Sequence, residues 1–362
     1  MKYKKYLAAG VLGAGMLLGA AFLGAVMWSR TQAVRFVGQM GAGINLGNTL
    51  DSTGLREYKP DADELEYETC WGNPRIDAET FRTIREAGFQ TVRIPVTWED
   101  HLDGEYRISD PWLNRVQEVV DMALEEELYV ILDLHHDAWL DLKLEQEDEI
   151  MNEFVIVWEQ IAERFRTYDE KLLFESMNEP RLRGSEYEWT AGTGDLRGMV
   201  NRLNEAFVRT VRESGDKNKK RYLLLAPYAN RHEKEALQDM ELPEDNRLIV
   251  SVHMYTPHVF CQEDGGDTQW DTGHTKERIE QAFADMNSLF VEQNVPAILT
   301  EFACVDKGNT QARVEWAQCY VEQARRYGIP CIWWDCEAYG LLDRGNKTWK
   351  FPEIVDVLTK DE

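Results

Sequence analysis

Short apolar runs alternate with longer amphipathic stretches along most of the chain from about residue 34 onward. Eight of these runs are apolar almost throughout, which is typical of parallel strands that are buried on both faces. The predicted strands are residues 43–46, 91–96, 129–134, a run that begins at Leu172, and residues 222–226, 248–254, 297–302 and 330–334.

The stretches between these strands carry apolar residues at helical spacing. Asp77 is predicted to cap a helix that ends at Gly88, and Asp110-Pro111 to open the next one. Further helices are predicted near 151–167, 199–213, 233–240, 275–292, 311–327 and 351–358. The alternation predicts an α/β fold, a single catalytic (β/α)8 TIM barrel over residues 34–362. The alternative, a doubly wound open sheet, usually has a glycine-rich phosphate turn after its first strand, and GINLGN is a poor match.

Residues 1–33 have a different pattern. Lys2, Lys4 and Lys5 precede an uncharged run from Leu7 to Trp28. This pattern predicts either a signal peptide or an N-terminal membrane anchor, since the run is long enough to cross a bilayer. The positive charges stay on the inner side in both cases. The remainder is therefore expected outside the cytoplasm, either secreted or tethered at the cell surface.

The chain is strongly acidic. Its formal net charge is −25, which becomes −29 when residues 1–33, with four basic and no acidic residues, are set aside. Such a surface argues against nucleic acid and anionic membranes as partners and favours a neutral or cationic substrate. The expected form is a monomer. Isolated disulfides or buried thiols are expected for the cysteines, which show no Cys-x-x-Cys spacing: Cys70, Cys261, Cys304, Cys319, Cys331 and Cys336.

Nearly every predicted strand except the fifth has a polar or aromatic side chain capable of chemistry at or just beyond its carboxyl end. In a (β/α)8 barrel the working residues lie at these carboxyl ends of the strands. A single histidine or arginine there is as often structural as catalytic, but the convergence of many such groups on one rim predicts an active site. In chain order they are Asn45, Asn48, Arg93, His135, His136, Asp137, Asn178, Glu179, His253, Tyr255, Glu301 and Trp334.

Glu179 and Glu301 follow the fourth and seventh strands and are predicted to face each other across the barrel mouth. Hydrolysis of an acetal needs an acid for the leaving oxygen and a carboxylate for the cationic carbon, and a retaining mechanism places the two carboxyls about 5–5.5 Å apart. Arg93 beside one of them would keep it ionised. Tyr255 and His253 are expected to form hydrogen bonds with the carboxylates.

Other residue types in the set suit sugar binding. Asn178 is expected to hold a sugar hydroxyl. Indole rings offer flat apolar faces for pyranoses, although packing in the core explains any one tryptophan equally well. The candidates are Trp71, Trp98, Trp139 and Trp334.

Two other chemistries fit the sequence less well. His135, His136, Asp137 and His253 are metal-ligand types, but barrel metallohydrolases usually carry a His-x-His pair at the first strand, and none is present. Adjacent histidines on a strand also point to opposite faces, so only one of His135 and His136 is expected in the mouth. A Gly-x-Ser-x-Gly nucleophile elbow is missing as well. The prediction is therefore a site with no metal and no cofactor.

The motifs around these residues resemble those of glycoside hydrolase family 5, and most of all its fourth subfamily of endo-β-1,4-glucanases and xyloglucanases. The resemblance covers residues 34–358. Its motifs are GINLGNTLDS, CWGNP, TVRIPVTWEDHL, LDLHHDAW, FESMNEPR, SVHMYTP, LTEF and CIWWD with GLLDR. Two departures concern the shape of the cleft: Ala303 stands where glycine is commoner after the nucleophile, and Cys336 where asparagine is frequent.

The resemblance implies roles for individual residues. Glu179 would be the acid/base and Glu301 the nucleophile. The supporting active-site set would be Arg93, His135, Asn178, His253, Tyr255 and Trp334. Substrate-binding positions would be Asn48, Trp71, Trp98, His101, His136 and Trp139.

The expected function is that of a retaining endo-β-1,4-glucanase acting on β-glucan chains. No separate carbohydrate-binding module is recognised, so soluble or branched chains are expected rather than crystalline cellulose. Xyloglucanase, β-mannanase and lichenase activities are the alternatives, with selectivity expected in loops 137–149 and 259–273. A hypothesis from another class is a non-catalytic surface protein that binds glycans, whose expected mark is loss of Glu179 or Glu301; both are present.

Overall fold

Eight parallel strands pair in chain order, and the first also pairs with the eighth, so the sheet closes into a barrel. The computed structural model describes residues 32–271 and 273–360. Each strand lies within its predicted stretch, and the predicted (β/α)8 barrel is confirmed. The strands are β1 (Gly43–Asn45), β2 (Thr91–Ile94), β3 (Tyr129–Leu132), β4 (Leu172–Glu175), β5 (Leu223–Leu225), β6 (Leu248–His253), β7 (Ala297–Phe302) and β8 (Cys331–Trp333).

One main helix follows each strand. Asp77 caps the first by accepting a hydrogen bond from the backbone N–H of Thr80, as predicted. The predicted starts of the third and fourth were too late, because their first turns are polar and lack apolar periodicity. The helices are α1 (Ala78–Glu86), α2 (Asp110–Glu125), α3 (Glu147–Arg164), α4 (Gly194–Glu213), α5 (Lys234–Gln238), α6 (Thr275–Leu289), α7 (Thr310–Tyr327) and α8 (Pro352–Thr359).

Both faces of the barrel strands are buried, which explains why their sequences lack polar alternation. In β3, Val130 and Leu132 pack against the surrounding helices, whereas Ile131 belongs to a second cluster inside the barrel. Successive strand residues point to opposite faces, so an apolar strand fills both cores at once. The apolar layer inside the barrel lies toward the amino-terminal ends of the strands. The carboxyl-terminal end of the barrel is left for polar side chains.

Residues 32–38 are helical and close the amino-terminal end of the barrel. Ala33, Phe36 and Val37 are buried against the inner apolar layer. Ala33 therefore packs with the barrel, although the predicted leader extended to residue 33. The rest of that predicted leader, residues 1–31, lies outside the described residues. Within the described ranges, no helix has both the length and the apolar character that crossing a membrane requires.

The loops hold small elements that the hydrophobic pattern did not predict. The connection from β8 to α8 contains an antiparallel pair, β9 (Leu342–Asp343) and β10 (Thr348–Trp349), and four-residue helices lie at Leu55–Tyr58, Tyr67–Cys70 and His258–Cys261. Segments this short carry too few residues for a periodic signal. All six cysteines lie in the described part and are free thiols, five of them buried.

Candidate active site

The backbone at Glu179 is held in an unusual conformation just beyond β4. Its φ of 45° lies in the left-handed region, which costs free energy for a residue with a side chain. Two partners stabilise it: Asn230 Oδ1 accepts a hydrogen bond from the Glu179 N–H at 2.6 Å, and Arg181 Nη1 donates to the Glu179 carbonyl at 2.8 Å. The backbone at Glu179 is therefore fixed, and with it the direction in which the carboxyl enters the barrel mouth.

Glu301 lies near the end of β7, and its carboxyl meets that of Glu179 across the mouth. One oxygen of each lies within 4.8 Å of the other. His253, the last residue of β6, sits between them, with Nδ1 3.1 Å from Glu179 Oε1 and 3.5 Å from Glu301 Oε2. Burial lowers the pKa of His253 to about 4, so the imidazole is neutral at neutral pH.

Arg93 is completely buried beneath the two glutamates and ties several elements together. It donates to Glu301 at 2.7 Å, to Glu175 at 2.6 Å and to the Asn178 side-chain oxygen at 2.9 Å, and it pairs with Asp133 at 2.7 Å. Burial works against the charge, but the three carboxylates outweigh it and raise the pKa of Arg93. A permanent cation therefore lies under the mouth.

The two glutamates differ in their hydrogen-bond donors. Glu301 receives Arg93 on one oxygen and the Tyr255 hydroxyl, at 2.9 Å, on the other. Among the described residues, the cationic side chain within hydrogen-bond distance of the Glu179 carboxyl is Arg181, with Nη1 at 3.4 Å. Burial raises the pKa of both carboxyls. Because hydrogen bonds to the charged form favour ionisation, the negative charge belongs on Glu301 and the proton on Glu179.

Aromatic rings form one wall of the mouth beside Glu301. The rings of Trp334 and His135 are nearly parallel, with centroids 5.5 Å apart, and the Trp334 backbone N–H donates to the carbonyl of Phe302, the residue after Glu301. Gly47 lies directly against the indole, since a Cβ there would come within 2.7 Å of it. His135 Nδ1 is 2.8 Å from Asp133, so the same carboxylate supports both His135 and Arg93.

Comparison with known proteins agrees with this geometry. The family model described as cellulase, glycosyl hydrolase family 5, matches residues 56–340. The chain belongs to glycoside hydrolase family 5. Among curated relatives, endoglucanase A of Clostridium longisporum is 36% identical over 343 residues, which is 92% of this chain and 66% of the relative.

Solved structures of family 5 proteins superpose closely on the chain. XEG5A, a xyloglucan-specific endo-β-1,4-glucanase from a metagenomic library solved with cellotriose, is 36% identical with a TM-score of 0.86, covering 91% of this chain and 99% of its own. A GH5-4 broad-specificity endoglucanase from C. longisporum is 36% identical with a TM-score of 0.86, and the match covers 90% of this chain and 97% of that one. A lichenase from Caldicellulosiruptor sp. F32 is 37% identical with a TM-score of 0.85, and the match covers 90% of this chain and 94% of that one.

Both adjacent histidines lie at the mouth of this family 5 barrel, which corrects the expectation that only one would. β3 ends at Leu132, so His135 and His136 follow irregular backbone and strand alternation does not apply. Their ring centroids are 4.4 Å apart, and the His136 ring lies 5.7 Å from that of Trp71. Donor atoms of Asp51, His135 and His136 lie within 4.8 Å of one another, a set of metal-ligand types that the strand-based argument missed.

The structure buries Trp98 and His101, two of the residues predicted to bind substrate, in the protein interior. Trp98 is fully buried, and its indole N–H donates to the Asp133 carbonyl. His101 is buried and stacked on Trp112 at 3.7 Å, with Nδ1 2.9 Å from Glu64. Neither ring offers a free face to a sugar, because each already packs inside the protein.

Asn48 and Trp139 take intermediate positions. Asn48 is half-buried with φ 57°, and its backbone N–H donates to Asp51, so its first role is in the turn after β1. Trp139 is half-buried against the core, and its indole nitrogen is buried without a hydrogen-bond partner among the described residues. Both lie in loops at the carboxyl ends of the strands.

Several residues that organise the site were missed in the sequence. Glu175 and Asp133 end or follow strands, but they were overlooked because the more familiar motifs lay just beyond them. Asn230 follows β5, the strand expected to contribute nothing, and its side chain joins the Glu179 N–H to Ser251. Arg181 directly follows Asn-Glu-Pro, which was the only available signal for it.

Proposed function

We propose that the chain is a retaining endo-β-1,4-glucanase. The observation that carries the proposal is the pair of carboxylates with oxygens within 4.8 Å, of which only Glu301 is held by Arg93. A retaining mechanism needs about 5–5.5 Å, whereas inverting enzymes leave roughly 6.5–9.5 Å for a water molecule. The family relatives named endoglucanase support the same substrate class.

In the proposed first step, a Glu301 oxygen attacks the anomeric carbon while Glu179 gives its proton to the departing glycosidic oxygen. The bond to the leaving chain breaks as the glycosyl-enzyme ester forms. Glu179, now ionised, then removes a proton from water, which attacks the same carbon and releases Glu301. Tyr255 and Arg93 hold Glu301 in position, and neutral His253 separates the two carboxyls without adding charge.

The test replaces each glutamate by its isosteric amide. Glu301→Gln and Glu179→Gln should each lower kcat on soluble β-1,4-glucan by at least about a hundredfold. Glu145→Gln, on an exposed residue of the loop after β3, is the matched control and should keep full activity. Unaltered hydrolysis by either active-site variant would overturn the proposal.

The preferred glucan is the finer part of the proposal. Soluble or branched β-1,4-linked chains are proposed first, and xyloglucan, lichenan and mannan are alternatives, since the similar structures include a xyloglucan-specific enzyme and a lichenase. Initial rates on carboxymethyl cellulose, xyloglucan, lichenan and glucomannan would rank them. Binding to all four without any release of reducing ends would instead favour the non-catalytic glycan-binding protein.

We also propose that the enzyme acts outside the cytoplasm. The support is the sequence pattern of residues 1–33, with lysines before a long uncharged run. Activity found in the culture medium would indicate a cleaved signal, and activity in washed membranes would indicate a retained anchor. Activity confined to the cytoplasm would contradict the proposal.

A further inference from the structure

Trp189 is an exposed tryptophan next to the proposed acid/base. It belongs to the acid/base loop, defined here as residues 181–193, which connects the Glu179 turn to α4. Half of its surface is open to solvent. The Arg181 guanidinium lies 4.0 Å from the indole centroid, and Arg181 also reaches the Glu179 carboxyl. One arginine side chain therefore separates the exposed indole from the proposed proton donor.

The acid/base loop is held rigidly by its own hydrogen bonds. Glu188 accepts from Arg181 Nε at 3.3 Å and from the Gly184 N–H at 2.8 Å. Tyr228, from the turn after β5, accepts from the Leu182 N–H and donates to the Tyr187 carbonyl, both at 3.1 Å. An exposed indole on a constrained loop loses little conformational freedom when a ligand stacks on it.

Gly192 adds to this constraint. Its φ is 69°, and a Cβ there would lie 2.9 Å from the Tyr228 ring, so only glycine allows the loop to lie flat on that ring. Arg197 at the start of α4 donates to the Ala191 and Gly192 carbonyls at 3.0 and 2.8 Å. Both ends of the segment that carries Trp189 are thus tied to the barrel.

The position of Glu179 decides on which side of the scissile bond Trp189 lies. A general acid protonates the oxygen of the leaving chain, so groups beyond Glu179 face that chain. Trp334 lies beside Glu301, where the covalently held sugar would sit, since its backbone N–H donates to the carbonyl of Phe302. Trp189 would then face the leaving chain, beyond Glu179, and Trp334 the sugar bound to Glu301.

We propose that Trp189 is the stacking platform for the leaving-group side of the glycan, with its open face against a β-1,4-linked glucosyl ring and Arg181 fixing its other face. Sugar rings present flat C–H surfaces that suit an indole, while their hydroxyls remain in water. The platform rests on the proposed hydrolytic function. Trp189 would bind the part of the substrate that departs. Its loss should therefore lower the rate on glucan chains but not the rate on substrates with a small leaving group.

The test compares two substrates that differ only on the leaving side. With Trp189→Ala, kcat/KM on cellohexaose should fall about tenfold, the effect of losing one stacked ring. On 4-nitrophenyl β-cellotrioside, cleaved at the aryl bond, it should stay within about twofold. Trp189→Phe should lie between. Tyr58→Ala removes an aromatic side chain that is 67% exposed in the short helix between β1 and α1; it is the control and should change neither rate.

A second measurement uses the glycosyl-enzyme. Added cellobiose can replace water. One of its hydroxyls then attacks the anomeric carbon and gives its proton to Glu179, the ester bond to Glu301 breaks, and a longer glycan is released. Trp189→Ala should lower the ratio of this product to hydrolysis. Equal losses on both substrates, or no loss on either with an unaltered ratio, would overturn the inference. An inactive wild-type enzyme would instead contradict the proposed function itself.

Discussion

Arg93 donates a 2.7 Å hydrogen bond to Glu301 although the two residues are 208 positions apart in the chain. The same guanidinium also binds Glu175 and Asp133, so one buried cation balances three carboxylates from β4, β7 and the segment after β3. Glu301 is thus positioned by the charge balance of the barrel interior as well as by its own strand.

Arg93→Met should destabilise the fold by about 3–5 kcal/mol at neutral pH, because it leaves buried carboxylates without a partner. These carboxyls would then hold protons in the folded state but ionise near pH 4 when unfolded. The loss of stability relative to the wild type should therefore grow as the pH rises. Urea unfolding at pH 5 and pH 7.5 measures it. Arg93→Lys, which keeps one charge, should lose less. A Met variant as stable as the wild type at pH 7.5 would show that the network adds nothing.

Tyr255→Phe should move the acidic limb of kcat/KM to higher pH. The hydroxyl donates to Glu301 at 2.9 Å and favours its ionised form, so its loss raises the pKa of the nucleophile. A shift of about half a unit to one unit is expected, with the basic limb in place. A pH series on an aryl cellobioside provides the measurement. An acidic limb that does not move would mean that Tyr255 only shapes the pocket.

Arg181→Gln should move the basic limb of kcat/KM to higher pH. Burial raises the pKa of Glu179, and the positive charge of Arg181 lowers it more than any other neighbouring group does. Removing this charge should therefore raise the pKa of Glu179 further. Glu179 then stays protonated to higher pH. Arg181→Lys retains the charge and should show a smaller displacement. If the Gln variant kept the wild-type basic limb, Arg181 would act on the loop alone.

Asp137→Asn should stabilise the protein at pH 7.5. Asp137 accepts hydrogen bonds from the Trp98 and Glu99 N–H groups, and burial raises its pKa to about 8. The unfolded carboxyl ionises near pH 4 while the folded one keeps its proton, so wild-type stability falls by up to about 1.4 kcal/mol per pH unit between these values. The amide variant lacks this dependence. Parallel unfolding curves for both proteins from pH 4 to 8 would contradict the assignment.

The hydrophobic pattern was sufficient for the barrel. Strands buried on both faces must be apolar throughout, and this property can be read one segment at a time, as β3 and β7 show. The positions of Glu179 and Glu301 were predictable for the same reason, because each lies at or just beyond the carboxyl end of a buried strand in a closed parallel sheet. The family assignment is confirmed by the match over residues 56–340.

Side-chain surroundings were less predictable. Trp98 stands in a motif that resembles the family, yet it is fully buried in the main hydrophobic core. Asn230 supports Glu179 from a strand that showed no functional signal. In both cases the outcome depends on residues distant in sequence that meet only when the barrel closes.

The sequence by itself determined the architecture and the two glutamates, since strand burial and strand ends are local properties. Only the tertiary structure shows which hydrogen-bond donors surround each glutamate, because Arg93, Tyr255 and Arg181 come from three different loops or strands. It also decided that Trp189 is exposed to solvent whereas Trp98 is buried. Electrostatic balance and solvent exposure are sums over neighbours in space, and a linear sequence does not specify those neighbours.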